Sequence, residues 1–226
     1  MTWVKFCGIS DIESAITASQ AGTDYLGMVF APSRRQVSPV EALKIVNVVR
    51  QLDSPPQIVG VFVNQPAAEV NQIADYCQLD WAQLSGDESW DYCRQIGMPL
   101  IKVFHIDANA QHAEIATEIW KGYRYIIPPR QLICLLDSAV NGAYGGTGTP
   151  VNWQVAKVIA AKFSVMIAGG LTPDNVGELL QVINPWGVDV SSGVETDGKK
   201  DMVKIKTFIE VVRRFDLELT GGGHRD

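Results

Sequence analysis

The 226-residue sequence lacks features that would point to several common classes of protein. It has no apolar run of the roughly 20 residues needed to span a bilayer, and its first residues, MTWVKFCG, do not form a signal-peptide pattern. Its formal net charge is −6, its isoelectric point is near 5.1, and no basic run stands out. We therefore expect neither a membrane nor a nucleic acid among its partners.

Cysteine and histidine are also scarce. The four cysteines, Cys7, Cys77, Cys93 and Cys134, show no CxxC spacing, and only three histidines are scattered along the chain. This set disfavours a zinc site, so we expect no bound metal. Reduced thiols in a cytoplasmic protein are the simplest account of the cysteines.

What the sequence does contain is a repeated unit of a short apolar run, turn residues and a helical periodicity. Strands are predicted at 3–7, 25–30, 58–63, 81–84, 100–104, 133–136, 164–168 and 186–190. Eight such units in a chain of this length predict an α/β fold, a single-domain (β/α)8 barrel over residues 1–218, with 219–226 as a disordered tail. An open, doubly wound sheet is the alternative, although no GxGxxG motif follows the first strand.

Two helix boundaries near the carboxyl terminus are predicted from local signals. Thr172 followed by Pro173 has the pattern of an N-cap and a first helical residue. The last helix is predicted over residues 200–215.

Residues able to carry chemistry fall at or near the ends of three predicted strands. In a barrel of parallel strands these ends form one mouth, where ligands bind. Cys7 could act as a nucleophile or general base, or be a small buried hydrophobe. Asp137 could be a general acid or base, or a cap. Asp189, inside the eighth strand and expected to face inward, could hold a substrate hydroxyl, position another side chain, or form a structural pair.

Loops rich in glycine and serine after the last three strands predict a phosphate site, because barrels commonly bind phosphate there on backbone N–H groups. The candidate residues are Gly146, Thr147, Gly148, Gly169, Gly170, Ser191, Ser192 and Gly193. After the second strand, Arg34 or Arg35 could grip a carboxylate through two parallel hydrogen bonds, or be a solvated surface residue.

These residues lie in motifs that resemble those of the phosphoribosylanthranilate isomerases of tryptophan biosynthesis. The matching segments, in family order, are VKFCGISD (4–11), GTDYLGMVFAPSRRQVSP (22–39), VGVFVN (59–64), AQLSGDE (82–88), LLDS (135–138), YGGTG (144–148), IAGGLTPDNV (167–176), GVDVSSGVE (187–195) and GKKD (198–201). They cover nearly the whole chain, and their combination is highly specific.

The resemblance implies a (β/α)8 barrel that catalyses an Amadori rearrangement without metal or cofactor, the third committed step towards tryptophan. The substrate would be N-(5-phosphoribosyl)anthranilate, and the product 1-(2-carboxyphenylamino)-1-deoxyribulose 5-phosphate. The only implied partner is therefore a small sugar phosphate, bound by a monomer or a homodimer.

The resemblance also implies residue roles. Cys7 would be the general base that takes the C2 proton of the ring-opened iminium, and Asp137 the general acid that protonates the furanose ring oxygen. Arg35 would bind the anthranilate carboxylate, Asp189 would contact or orient the sugar end, and the three loops would bind the phosphate.

Two positions depart from the family pattern. Ser85 stands where the family usually has histidine in a QLHG segment, and Asn152 stands where it commonly has aspartate in TFDW. Two other functions compete with the isomerase. One is a related phosphate-binding barrel such as indole-glycerol-phosphate synthase, which relies on a lysine acid at a strand end; Lys5 and Lys102 lie within predicted strands here. The other is a non-catalytic barrel that binds a sugar phosphate as a sensor or scaffold.

Overall fold

Eight parallel strands close into a barrel in the computed structural model, which describes residues 1–106, 110–128, 131–138 and 152–221. In barrel order the strands are β1 (Trp3–Cys7), β2 (Tyr25–Val29), β3 (Gln57–Phe62), β4 (Trp81–Leu84), β5 (Leu100–Ile106), β6 (Leu132–Ser138), β7 (Val165–Ile167) and β8 (Gly187–Val190). β8 pairs with β1 and closes the ring, with Lys5 opposite Asp189 in the register. The predicted (β/α)8 barrel is confirmed, and the open sheet is excluded.

Helices follow the strands along the chain. They are α1 (Ile12–Ala21), α2 (Pro39–Val49), α3 (Ala67–Cys77), α4 (Trp90–Cys93), α5 (His112–Tyr125), α6 (Trp153–Ala160), α7 (Val176–Ile183) and α8 (Met202–Gly221). A 3₁₀ turn (Ser192–Val194) and a small hairpin, β9 (Glu195–Thr196) and β10 (Lys199–Lys200), lie between β8 and α8. In the described ranges, no helix has both the length and the apolar character required to cross a membrane.

The alternation of side chains along each strand separates two buried layers. Val4 and Phe6 belong to the large core between the strands and the helices. A second apolar cluster fills the inside of the barrel: Tyr25, Val59, Trp81, Ile101, Val103, Ile133, Leu135, Met166 and Ala168. Burying one such side chain stabilises the fold by roughly 1.5–3 kcal/mol, so the two layers together hold the strands in register.

Inward-facing side chains change from apolar to ionisable toward the mouth of the barrel, which is formed by the carboxyl ends of the strands. Ile133 and Leu135 are apolar, and the next inward-facing residue of β6 is Asp137. β5 repeats the pattern, with His105 following Ile101 and Val103. An apolar floor below charged groups is the arrangement that shifts pKa values by burial.

Several predicted boundaries differ from the structure. β6 extends to Ser138, so Asp137 lies inside the strand, paired in register with His105, rather than after it. α7 begins at Val176 and not at Pro173, because Asn175 takes the N-cap position. The Asn175 side chain accepts a hydrogen bond from the Thr172 backbone N–H (2.8 Å) and donates one to the Gly170 carbonyl (2.9 Å), which fixes residues 172–175 as a turn.

The last helix is longer than predicted. α8 runs to Gly221, so its predicted end at residue 215 is wrong and residues 219–221 are helical rather than part of a disordered tail. Residues 222–226 lie outside the described ranges. Asp216 accepts hydrogen bonds from the Thr2 backbone N–H (2.9 Å) and hydroxyl (2.8 Å), which ties the helix, beyond residue 215, to the residue that precedes β1.

Candidate active site

Cys7 and Asp137 both lie at the barrel mouth. Cys7 is the last residue of β1 and Asp137 the penultimate residue of β6, so they stand three strand positions apart in a ring of eight. The strands between them are β7 and β8, which lead into two of the predicted phosphate loops. Both side chains are largely buried.

The surroundings of Asp137 favour its protonated form. Burial, followed by repulsion from Asp189, raises the pKa of Asp137 to about 6, against the weaker opposing effects of His105 and of a hydrogen bond from the Ser138 N–H (2.8 Å). A carboxyl group with this pKa retains a proton in about one molecule in ten at pH 7. Asp137 can therefore serve as an acid near neutral pH.

Gly169 allows the loop after β7 to approach Asp137. Its φ of +95° is one that residues with side chains rarely adopt. A Cβ atom there would lie 2.9 Å from the Ser138 hydroxyl and 3.1 Å from Asp137 Oδ1. The loop backbone consequently covers the carboxyl group and contributes to its burial.

Cys7 lies between opposing electrostatic effects. Burial raises the pKa of the Cys7 thiol, the charge of the Lys5 ammonium lowers it, Asp189 raises it, and Lys200 lowers it. The pKa remains above the usual value for cysteine. The Ser191 hydroxyl donates to the Cys7 carbonyl (3.1 Å), which connects the end of β1 with the loop after β8. Cys7 is thus held as a buried thiol whose ionisation depends on two neighbouring lysines.

Lys5 and Asp189 form a buried ion pair inside the barrel. Lys5 Nζ lies 2.9 Å from Asp189 Oδ1, and the lysine side chain is 0% exposed. Asp189 therefore faces inward, as expected. Of the roles considered for it, its contacts in the structure are those of a paired carboxylate. The pair was missed from the sequence, although a lysine two residues before Cys7 in an apolar strand was a usable signal.

Arg35 lies at the same mouth but binds another residue of the chain. Its Nε and Nη2 donate to the two carboxylate oxygens of Glu195, at 2.6 and 3.0 Å. Arg34 (2.9 Å) and Lys200 (3.1 Å) also contact this carboxylate. Burial is the largest single effect and acts to raise the pKa of Glu195, but the hydrogen bonds and charges of Arg35 and Lys200 together outweigh it, so the pKa is lowered. Neither Glu195 nor Lys200 was expected at the site from the sequence.

The two arginines differ in their exposure. The side chain of Arg35 is 11% exposed and lies against Gly8, whereas that of Arg34 is 60% exposed. The pattern Arg34-Arg35 left open which of them faces the mouth. The burial of Arg35 beside Cys7-Gly8 identifies it as the one facing the site.

Two of the predicted phosphate loops pack against each other. A side chain at Gly193 would collide with the backbone carbonyl of Leu171, so the loop after β8 requires glycine there to meet the loop after β7. Gly170 has a φ of +66°, and Ser191 and Ser192 are partly exposed. The other predicted phosphate residues, Gly146, Thr147 and Gly148, lie outside the described ranges.

The two departures from the family motifs have local structural accounts. Asn152 is the N-cap of α6, where its Oδ1 accepts from the N–H groups of Gln154 (3.1 Å) and Val155 (3.3 Å); asparagine and aspartate are both good caps. Ser85 is buried, and its carbonyl lies 2.9 Å from His105 Nε2. The loop after β4, which has Ser85 in place of the family's histidine, thus contacts the imidazole of His105 on β5.

Lys102, the other strand lysine, does not face the site. Its Nζ donates to Glu88 Oε2 and to the Gly86 carbonyl, both at 2.9 Å, so it anchors the loop after β4. No group of three or more histidine, cysteine or acidic side chains suited to hold a metal ion occurs in the part of the chain that the structure describes.

Comparisons with known proteins give one family. The model of the family N-(5'phosphoribosyl)anthranilate (PRA) isomerase matches residues 4–211. An N-(5'-phosphoribosyl)anthranilate isomerase of Dehalococcoides mccartyi is 42% identical over 216 residues, which cover 96% of this chain and 98% of the relative.

Solved structures agree with the sequence comparison. Phosphoribosyl anthranilate isomerase from Thermotoga maritima superposes with a TM-score of 0.78 at 33% identity, covering 95% of this chain and all of that one. A phosphoribosyl anthranilate isomerase in complex with reduced 1-(o-carboxyphenylamino)-1-deoxyribulose 5-phosphate superposes with a TM-score of 0.75 at 32% identity, with the same coverage.

Proposed function

The chain belongs to the N-(5'-phosphoribosyl)anthranilate isomerase family, and we propose that Cys7 and Asp137 are the base and the acid of its reaction. The enzyme isomerises N-(5'-phosphoribosyl)anthranilate in tryptophan biosynthesis. The reaction opens a furanose ring and then moves hydrogen between two neighbouring carbon atoms, so it needs one proton donor and one acceptor. Asp137 and Cys7 are the pair at the mouth that provides them.

In the proposed first step, Asp137 gives its proton to the furanose ring oxygen while the C1–O bond breaks. The amino nitrogen supplies the electron pair, which leaves an open-chain iminium and an Asp137 carboxylate. In the second step the Cys7 thiolate takes the C2 proton, and the C–H electron pair neutralises the iminium to give an enolamine. Protonation at C1 and loss of the C2 hydroxyl proton then give the ketone and restore both side chains.

The observation that carries this assignment is the raised pKa of Asp137, about 6, at a mouth shared with Cys7. An ordinary aspartate would be almost fully ionised at pH 7 and a poor donor. Acid and base catalysis of this kind typically contributes about 10²- to 10⁴-fold for each group.

Arg35 is proposed to bind the anthranilate carboxylate. Glu195 occupies the Nε–Nη2 edge of the Arg35 guanidinium, and Nη1 donates no hydrogen bond to any residue that the structure describes. A guanidinium has five N–H donors, so the Nη1–Nη2 edge can pair with a second carboxylate.

The sugar phosphate is proposed to bind on the loops after β6, β7 and β8. Support comes from Gly193 and Leu171, whose contact brings two of these loops together beside Cys7 and Asp137. Gripping the far end of a flexible open-chain sugar holds its C1 and C2 in register with the acid and base. Asp189 would orient the sugar end while remaining bonded to Lys5.

The decisive experiment is a fluorescence assay that follows the loss of phosphoribosylanthranilate, combined with identification of the product. The wild-type chain is expected to turn over, whereas Cys7→Ala and Asp137→Asn each lose at least 10²-fold in kcat while remaining folded. Cys93→Ala, which alters a buried cysteine outside the mouth, is the control and should retain activity. Full activity in both site variants would remove the assignment, and a different product would favour another barrel chemistry.

Two broader expectations belong to the same proposal. The chain acts as a monomer or a homodimer, which light scattering on the purified protein distinguishes. A cytoplasmic location accords with four free cysteines and is tested by cell fractionation.

A further inference from the structure

We propose that Lys5 is a positioning residue for the proton abstraction: its ammonium group, buried beside Cys7 and held there by Asp189, stabilises the thiolate form of Cys7. The inference rests on the proposed role of Cys7 as the base. In this proposal Lys5 acts on Cys7 rather than on the substrate, and the Asp189 oxygen that binds Lys5 serves to hold it in place.

The geometry places the ammonium group at the level of Cys7. Lys5 lies two residues before Cys7 on the same inward face of β1, and its Nζ and Cε reach the space beside Gly27 that the Cys7 Cα also borders. Its Nζ would be 3.1 Å from a Cβ atom at Gly27, the residue opposite Cys7 in the β1–β2 register. Gly27 thus leaves the space into which the ammonium fits.

A lysine in this position carries a large desolvation cost. Burial alone lowers the pKa of Lys5, but the charges of Asp189 and Cys7 raise it, and the balance keeps Lys5 protonated. The Asp189 carboxylate, 2.9 Å from Lys5 Nζ, therefore keeps the lysine positively charged inside a barrel whose floor is apolar. Stability alone is a weak reason for such a pair, because well-packed hydrophobic residues can often replace a buried ion pair without loss of stability.

Charged groups on other elements also face Cys7. Among the described residues, Asp189 from β8 and Lys200 from β10 act on the thiol by charge. Arg35, from the loop after β2, lies against the adjacent Gly8 and is paired with Glu195 from β9. Further across the mouth, Asp137 interacts with Asp189 and with His105. Lys200 and Arg35 share Glu195 as their counter-ion. Among the cations, Lys5 has the largest effect on the Cys7 thiol through its charge, and its Nζ lies in the space beside Gly27, opposite Cys7.

The test measures the ionisation of Cys7 directly. The folded protein is alkylated with iodoacetamide between pH 6 and 10.5, and modification of Cys7 is quantified by peptide mass spectrometry. Cys77, Cys93 and Cys134 are 0% exposed and report any loss of the fold. Lys5→Met is expected to move the alkylation midpoint upward by at least one pH unit, which lowers the rate at pH 8 about tenfold.

Asp189→Asn is expected to shift the alkylation midpoint of Cys7 in the opposite direction from Lys5→Met. It removes a negative charge that raises the pKa of Cys7, so the midpoint should move downward. If Lys5→Met does not fold, Lys5→Met/Asp189→Asn leaves no unpaired buried charge, and its midpoint should lie above that of Asp189→Asn. Lys102→Met is the matched control: it breaks another buried lysine–carboxylate pair with the same 2.9 Å separation, and should leave the Cys7 midpoint unchanged.

The outcomes distinguish the inference from the proposed function. Retained turnover in Cys7→Ala overturns the role of Cys7 itself. An inactive Cys7→Ala, together with a Cys7 midpoint unmoved by Lys5→Met, or moved the same way by Lys5→Met and Asp189→Asn, overturns the role of Lys5 alone.

Discussion

Glu195 holds Arg35 by two hydrogen bonds, from Nε at 2.6 Å and from Nη2 at 3.0 Å, so one edge of the guanidinium is fixed by the protein itself. The same carboxylate also binds Arg34 and Lys200. Three cations therefore share one counter-ion at the mouth, and the excess positive charge favours an anionic substrate.

The shape of the Arg35 side chain should matter more than its charge. Lysine cannot bridge Glu195 and a substrate carboxylate with paired hydrogen bonds, so Arg35→Lys is expected to raise KM about tenfold and to lower kcat much less. Steady-state kinetics at fixed pH measure the two effects. Arg34→Lys alters the exposed neighbour and should change KM less than about twofold; a larger effect at Arg34 would reverse the assignment.

The pH dependence of kcat/KM should report the unusual order of the two pKa values. The proposed mechanism requires a protonated Asp137 and an ionised Cys7. The active fraction should therefore rise with pH up to the pKa of Asp137, about 6, and fall above the raised pKa of Cys7. Between these two pKa values the rising fraction of Cys7 thiolate offsets the falling fraction of protonated Asp137, so kcat/KM should stay level. Values of kcat/KM measured from pH 4.5 to 10 should thus rise with an apparent pKa near 6. An acidic limb with an apparent pKa near 4 would contradict the raised pKa of Asp137.

Asp137 should lower the stability of the protein at neutral pH. Its carboxyl group binds protons more tightly in the folded than in the unfolded chain, so stability decreases as pH rises through the window from 3.8 to about 6. Asparagine avoids this cost. Asp137→Asn is therefore expected to raise the free energy of unfolding at pH 8 by up to about 3 kcal/mol, with no gain below pH 4.

Urea unfolding at the two pH values measures this difference. Asp80→Asn is the control with the opposite sign, because Asp80 accepts hydrogen bonds from Arg50 Nη2 (2.6 Å) and the Ile58 N–H (2.7 Å). It should lower stability at pH 8. A loss of stability in both variants would contradict the account of Asp137.

The contact between the loops after β7 and β8 should tolerate no side chain. Gly193→Ala would drive a methyl group into the Leu171 carbonyl, and we expect it to cost about 1–3 kcal/mol of stability and to raise KM at least fivefold. Thermal unfolding and steady-state kinetics give the two numbers. At Gly97 the nearest atom to a new Cβ is 3.9 Å away, so Gly97→Ala should stay within about 0.5 kcal/mol of wild type.

The sequence predicted the features that depend on local pattern. Short apolar runs and turn residues located the eight strands, and the ends of the strands located Cys7 and Asp137. The site contacts that were missed depend on pairing over long separations. Lys5 meets Asp189 across 184 positions and Arg35 meets Glu195 across 160, and nothing local to any of these residues specifies the partner.

Helix ends were missed for a different reason. At Thr172-Pro173 the local signal was a good N-cap pattern, but the Asn175 side chain closes a turn over these residues and delays the helix. At the carboxyl terminus, the bonds between Asp216 and Thr2 extend α8 beyond the predicted boundary. In both cases a side-chain hydrogen bond overrode a weaker local preference.

The Lys5–Asp189 pair joins β1 to β8, the first and the last strand of the barrel in chain order. During synthesis Cys7 emerges early, but its neighbouring carboxylate arrives only with β8, so an unfinished chain has the thiol and the lysine without the group that holds them. Under the role proposed for Lys5, the reactivity of the Cys7 thiol should therefore report whether β8 has closed the barrel. A nascent or truncated chain that ends before residue 187 cannot acquire the chemical environment of the finished enzyme, however much of its helical layer has already folded.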